Sequence, residues 1–229
     1  MRTITPIPYT KGLLKKNEKP PTSEEEATKR WGNYQTKPKK NLRIKIISEQ
    51  SGLCAYSEVN LNDHGYESHI DHVKPKSKYP HLTFEYSNIV ISALTTNQIK
   101  SLGYKRHDIF GGESKLREYD PALFISCTCS DCSDYFVYLN NGEIIPNPKL
   151  STIRTRKAEY TIKTLNLNSP ILIGKREVFL ENLKSLIIMN KGDKNKLNKL
   201  KDLHTKIIPS IEAKSFPSAS NQTFSNLKV

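Results

Sequence analysis

Residues 68–100 read SHIDHVKPKSKYPHLTFEYSNIVISALTTNQIK, and the reading of the whole chain turns on them. An acid and a histidine stand side by side at Asp71 and His72; Asn88 follows 16 residues after the histidine, and Asn97 lies 9 further on. Phosphodiester hydrolysis needs a base to activate water, a cation to offset charge on the phosphorane and leaving oxygen, and groups that fix the geometry. An imidazole titrates near neutrality, which suits His72 to the base's work. Asp71 and Asn97 offer hard oxygen donors of the kind Mg²⁺ or Mn²⁺ takes, with water and substrate phosphate completing the shell. Asn88 can bond to backbone groups and hold the loop beside the base. Singly, each has an ordinary reading, since Asp-His pairs occur in surface turns and Asn caps helices. Their spacing is what joins them into a small metal-dependent phosphodiesterase site.

Around this stretch, Leu53–Glu58 reads as a short strand, 60–66 (NLNDHGY) as a turn and His69–Val73 as a second strand, which together make a hairpin. Pro75, Ser77 and Pro80 mark a loop, and Asn88–Ser92 lead into a helix running through Asn97 to about Leu102. The expectation is an α+β fold built on a ββα unit. Neighbouring side chains on a strand point to opposite faces, so Asp71 and His72 need a local bend or divided roles. His69 shares the face of Asp71 and could reach the site, and Glu58 on the first strand could orient His72 or His69.

Working outward, 1–45 reads as a basic N-terminal arm and helix, 46–112 as the nuclease-like core, 113–148 as a Cys-containing β-hairpin region, 149–208 as basic helices and 209–229 as a flexible tail. Thr22 or Ser23 followed by three glutamates starts a helix that Gly32-Asn33 ends. Lys37–Lys40 reads as a Pro-containing linker before a helix over Leu42–Gln50. Residues 103–118 read as loop. Asn141-Gly142 marks a hairpin between Asp134–Leu139 and Glu143–Ile145. Three helices follow: Ser151–Leu165, then Ser169-Pro170 to about Asn190 with the stripe Leu172, Phe179, Leu183, Leu186 and Ile187, then one carrying Leu197, Leu200, Leu203 and Ile207.

The 229 residues carry a net charge of +13, unevenly spread: +8 over 1–45, −5 over 46–148 and +10 over 149–229. Basic flanks around a mildly acidic centre suit a polyanion such as DNA or RNA. No run is apolar enough to span a bilayer and the stretch MRTITPIPYTKG lacks the apolar core of a signal peptide, so a cytoplasmic protein without a membrane role is expected. In a reducing compartment Cys127, Cys129 and Cys132, crowded into CTCSDC, read either as a metal cluster or as free thiols. A structural Zn²⁺ there would take its fourth ligand from Cys54 or from a histidine such as His64 or His107.

The spacing of Asp71-His72, Asn88 and Asn97 resembles that of the HNH endonucleases. IDHVKPKS is similar to that family's DHI-x-P-x-S element, and Asn88-Ile-Val with Asn97-Gln-Ile-Lys100 to its N-x-(V/L) and N-x-x-K elements. ISEQSGLCAYSE, HIDHVKPKSKYPHLTFEYSN and TIKTLNLNSPILIGKRE narrow the likeness to the PtuB branch, the nuclease subunits of Septu anti-phage systems and their retron-associated versions. The resemblance implies a ββα-metal core. In it His72 is the general base, Asp71 and Asn97 hold Mg²⁺ or Mn²⁺, Asn88 fixes the loop and Lys100 positions phosphate or packs the helix. It further implies a PtuA-type ATPase partner, a DNA or tRNA substrate and, in a retron setting, a reverse transcriptase and its DNA product.

One departure stands out. Relatives commonly carry two CxxC pairs that bind structural zinc, whereas the matching positions here are Cys54-Ala-Tyr-Ser57 and Ala93-Leu-Thr-Thr96. A tetrahedral zinc clip cannot form from one thiol. Two competing readings follow: a nucleic-acid-binding subunit whose HNH core is inactive, and a zinc-braced scaffold centred on CTCSDC.

Overall fold

The computed structural model describes residues 1–5, 11–34 and 36–226. Among the described residues three helices precede the central strands. Helix α1 spans Lys11–Asn17. Helix α2 spans Glu24–Gly32: Ser23 caps it by accepting from the Glu26 N–H, and Glu24, Glu25 and Glu26 complement the positive end of its dipole. Helix α3 runs over Thr36–Glu49, so the expected linker at Lys37–Lys40 is helical. Pro38 is tolerated because first-turn N–H groups have no intrahelical acceptor to lose. Residues 6–10 of the expected arm lie outside the described residues, but Met1 and Ile4 are buried in the main core, not extended into solvent.

Strands β1 (Ser68–His72) and β2 (Ile89–Ala93) pair antiparallel, with Asp71 opposite Val90 and His72 opposite Ile89. The expected partner of β1, Leu53–Glu58, is not a strand; it makes one isolated bridge, Leu53 to Asn60. Ser51, Gly52 and Glu58 all adopt positive φ, which folds this segment back on itself. It still flanks the sheet. Ala55 N–H donates to the Ile91 carbonyl at 2.9 Å. The Gln50 carboxamide accepts from Ile91 N–H at 2.8 Å and donates to Ile91 O at 3.1 Å, as a third strand's peptide group would. All five residues of β2 are buried. Helix α4, Thr96–Ser101, follows β2 directly, with Thr95 as its cap. Strand, strand and helix are therefore consecutive, with the 16-residue span 73–88 as the connection between the strands.

Residues 103–118, expected as loop, contain the single-turn helix α5 (Gly112–Lys115), docked by a bond from Gly112 N–H to the Ser92 hydroxyl at 3.0 Å. A second hairpin pairs β3 (Phe136–Tyr138) with β4 (Ile144–Pro146), close to expectation. Helices α6 (Thr152–Thr164), α7 (Pro170–Met189) and α8 (Lys194–Thr205) match the three periodic segments. On α7 the buried stripe includes Leu180, not Leu186, which is 39% exposed. Leu203 of α8 is also exposed, and Ile207 falls beyond that helix. The expected flexible tail contains helix α9, Pro217–Ser225, with Ala219 and Phe224 buried; residues 227–229 lie outside the described residues. Glu58 explains why the tail is tied down. Its carboxylate takes both the N–H and the hydroxyl of Ser218, at 2.9 and 2.6 Å, and lies 3.4 Å from the Met1 ammonium. Among the described residues no helix is long and apolar enough to cross a membrane. The architecture is α+β, with two small antiparallel sheets among helices.

Candidate functional site

The end of β1 places Asp71 and His72 on opposite faces, as strand geometry requires, and each face is furnished differently. His72 is only 7% exposed. Trp31, at the end of α2, packs its edge against the imidazole at a centroid distance of 4.6 Å. The ring's Nε2 lies 2.9 Å from the Thr83 carbonyl. A carbonyl can only accept, so Nε2 carries the proton and Nδ1 keeps the lone pair. Burial depresses the imidazole's pKa to about 4, despite the Thr83 bond and the Asp71 charge, which both oppose the shift. His72 is therefore a neutral, oriented imidazole at physiological pH.

Asp71 is held from behind. Tyr56 donates its hydroxyl to Oδ2 at 2.6 Å, and the ammonium of Lys115, wholly buried, stands 3.3 Å from the same oxygen. Lys115 also donates to the His72 carbonyl at 2.9 Å, so one cation braces both residues of the pair. Burial alone raises a carboxyl's pKa, but here Lys115 first, then His69 and the Tyr56 bond, hold Asp71 below its usual value.

Asn88 fixes the 73–88 connection. Its Oδ1 accepts from Lys74 N–H at 2.7 Å, and its Nδ2 donates to the carbonyls of Lys74 and Leu82 at 3.0 and 3.2 Å. Thr83, the residue that orients His72, follows directly after Leu82. The expected role of Asn88 as the loop's anchor thus has a full set of bonds.

Asn97 sits in the first turn of α4 and is exposed; among the described residues no bond joins its side chain to Asp71. Lys100, on the same short helix, is exposed as well. His69 is better placed than its sequence position suggests. Its Nδ1 lies 2.5 Å from the Leu94 carbonyl, so Nδ1 carries the proton and Nε2 the lone pair. A Cβ built on Gly112 would lie 2.9 Å from both that Nε2 and Asp71 Cγ, so only glycine lets α5 close over this pair. Glu58 does not orient either histidine, because Met1 and Ser218 occupy its carboxylate.

Among the described residues no group of three or more His, Cys, Asp or Glu side chains stands together as metal ligands. A divalent cation beside Asp71 would thus rest on few protein donors. That suits Mg²⁺ or Mn²⁺, which keep several waters. The donors present fit such an ion: both holding contacts fall on Oδ2 of Asp71, and His69 Nε2 borders the same Gly112 position as that carboxylate. Of the thiols, Cys127 and Cys132 are buried and Cys129 is exposed. Burial pushes the Cys127 thiol far up and that of Cys132 to about 11, so both stay protonated as the site stands. Cys54 accepts from the Ala93 N–H at 3.3 Å, so segments 54–57 and 93–96 lie side by side.

A cleft of about 180 Å³ opens beside the pair, walled by Asp71, His72, Pro75 and Lys76 on the strand and loop side. Glu24 and Thr28 of α2 and Leu116 and Arg117 after α5 form the other walls. A larger cleft of about 680 Å³ between α1, α2 and α3 is lined by Lys15, Lys16, Glu18, Lys19 and Arg30, with no histidine in its lining.

Tyr56, Thr83, Gly112 and Lys115 were invisible to sequence reasoning. A lone lysine 43 residues beyond His72 carries no motif, and Tyr56 read as one residue of a strand. No protein-family model matches the chain, and no curated protein matches it.

Proposed function

We propose that the chain is a metal-dependent endonuclease of the HNH kind, cleaving phosphodiester bonds in DNA or RNA. The observation that carries this is the state of His72. A buried imidazole, neutral at physiological pH and fixed in one tautomer by the Thr83 carbonyl, stands beside a carboxylate kept ionised by Lys115. That is the equipment of a general base whose lone pair on Nδ1 takes a proton from water. Asn88 holds the loop that supplies the orienting carbonyl. Asp71 would hold the cation, with Asn97 or Nε2 of His69 as the second protein donor. When bound, the cation offsets charge on the phosphate and the leaving oxygen. Joined to the likeness with PtuB-type proteins, this makes the chain the cleaving subunit of a defence complex controlled by an ATPase.

The test is cleavage of plasmid DNA and of tRNA by the parent, His72→Ala and Asn97→Ala in Mg²⁺ or Mn²⁺. Loss of a general base costs about 10²–10⁴-fold. Parent-like cleavage by His72→Ala removes the base assignment, and parent-like cleavage by Asn97→Ala leaves His69 as the second donor.

One observation favours a second reading, a nucleic-acid-binding subunit with an inactive core. The buried Lys115 ammonium already neutralises Asp71 and competes with a divalent ion for it. Titration with Mn²⁺ separates the two readings, because the inactive core takes up no ion.

A further inference from the structure

One wall of the cleft beside His72 is helix α2, through Glu24 and Thr28. The cleft's volume of about 180 Å³ falls below the roughly 300–1,000 Å³ of pockets that enclose small ligands. A nucleic-acid backbone reaching His72 would lie against these walls, which differ in how firmly they are held. Asp71, His72 and the 74–82 loop are fixed by the bonds described above. Helix α2 buries only Ala27 along its length. It is anchored at its C-terminal end, where Trp31 packs on His72 and Phe84 and carries the Lys39 ammonium 4.7 Å from its ring centre. Toward its N-terminal end Pro21 and Ala27 are buried, and Glu24 reaches across the mouth of the cleft, its Oε1 3.2 Å from Arg117 Nη1.

That ion pair does little for the fold. The side chains are 47% and 76% exposed, and pairs of this kind contribute little stability. Its meaning lies in what each partner could otherwise do. Arg117 presents a guanidinium fork, suited to phosphate as much as to carboxylate, and Lys76 lines the same cleft. Lys76 also acts on a second cation outside the cleft: burial first, and then Lys76, lower the pKa of Lys39 on α3. Glu24, the carboxylate that answers this charge, opens the run Glu24-Glu25-Glu26, which holds three of the four acidic residues in the first 45 positions.

We propose that Arg117 and Lys76 form a phosphate-binding site at the mouth of the His72 cleft. Glu24 of α2 occupies that site until a backbone phosphate of a nucleic acid displaces it. The nucleic-acid ligand rests on the nuclease reading above; the displaceable carboxylate rests on Glu24's place in the cleft wall and the Glu24–Arg117 contact. Opening pivots α2 about Trp31, so the helix that guards the cleft is also the one that packs the base.

The test is binding in EDTA, where no cleavage occurs. Fluorescence anisotropy follows a labelled 20-bp DNA duplex and a labelled 20-nt RNA on the parent, Glu24→Gln, Glu25→Gln, Arg117→Gln and the Glu24→Gln/Arg117→Gln pair. Glu24→Gln is expected to tighten binding by about 3–10-fold, and Glu25→Gln by less. Arg117→Gln is expected to weaken binding by about as much and to reduce the salt slope by about one on the duplex. In the Arg117→Gln background the gain from Glu24→Gln disappears. Trp31, the only tryptophan, reports the pivot directly, through a change in its emission when the unlabelled duplex is added. Unchanged affinity in Glu24→Gln, a gain that persists without Arg117, or no binding by any variant each overturns the proposal. The first two leave the His72 assignment untouched, because that stands or falls on cleavage.

Discussion

Asn88 grips the backbone of Lys74 from both sides, accepting its N–H at 2.7 Å and donating to its carbonyl at 3.0 Å. With the further bond to Leu82, one side chain closes the 74–82 loop onto the start of β2. Asn88→Ala removes all three bonds and leaves buried backbone groups unpaired, so stability should fall by about 1–3 kcal/mol. Amide exchange across 74–82 should accelerate more than exchange in α7. Uniform acceleration, or none, sinks the anchoring role.

Lys115 and Asp71 form a buried pair whose halves cannot be removed independently. Lys115→Met leaves the carboxylate uncompensated and should cost about 3–5 kcal/mol in urea denaturation. Pairing it with Asp71→Asn should recover part of that loss. A single variant as stable as the double shows that the ammonium is not needed. If the folded fraction of Lys115→Met can be titrated with Mn²⁺, its affinity should exceed the parent's, because a competing cation is gone.

Gly112 lets α5 close over His69 and Asp71, and neither neighbour is free to step aside. His69 is bonded to Leu94 and Asp71 to Tyr56. The 2.9 Å approaches of an added Cβ make Gly112→Ala an overpacking change of about 1–3 kcal/mol, and Asp71 should shift. Gly174, on α7, has nothing within 4 Å of its Cβ position, so Gly174→Ala should be neutral or stabilising by up to about 1 kcal/mol. Equal thermal shifts for the two variants contradict the close approach at Gly112.

The pH dependence follows from His72. Its folded pKa of about 4 lies below the unfolded value of 6.5, so the unfolded chain binds the proton first as pH falls. The stability this group contributes is fully present above pH 6.5 and is lost as pH falls from 6.5 through 4. The full span is on the order of 3 kcal/mol. Asp71, also depressed, adds a loss in the same direction at lower pH. Urea midpoints between pH 7.5 and 5 should fall for the parent, and less for His72→Gln. Parallel curves for the two proteins refute the assignment. Cleavage itself should show no loss of base between pH 8 and 6.

The elements that depend on local signals were legible. Ser23 with three glutamates, Ser169-Pro170 and Asn141-Gly142 each mark a cap or turn by the chemistry of adjacent residues, and each stands where expected. The partner of β1 was misread because Leu53–Glu58 has a strand's composition, but Ser51 and Gly52 before it and Glu58 at its end take positive φ, which composition does not reveal. The same limit applies to the site. Asp71, His72 and Asn88 lie within one short stretch and could be read together. Tyr56, Lys115 and Gly112 reach that stretch only through the tertiary fold, as does the Gln50 carboxamide that replaces a strand.

The closure around Glu58 has a consequence for how the chain is made. Asn60 N–H donates to Ser215 Oγ, its amide donates to the Ala213 carbonyl, and the Glu58 carboxylate takes Ser218, partners 155, 153 and 160 residues away. A ribosome will have released the whole of the strand-and-loop region long before those partners exist. Until then the face of the Glu58 carboxylate that meets Ser218, and the Asn60 side-chain NH2, lack their protein partners, and closing so long a loop is slow. The segment beside β2 therefore sets last, after synthesis of the distal helices. The stretch that carries Asp71 and His72 is thus fully braced only once residues 213–218 have been made.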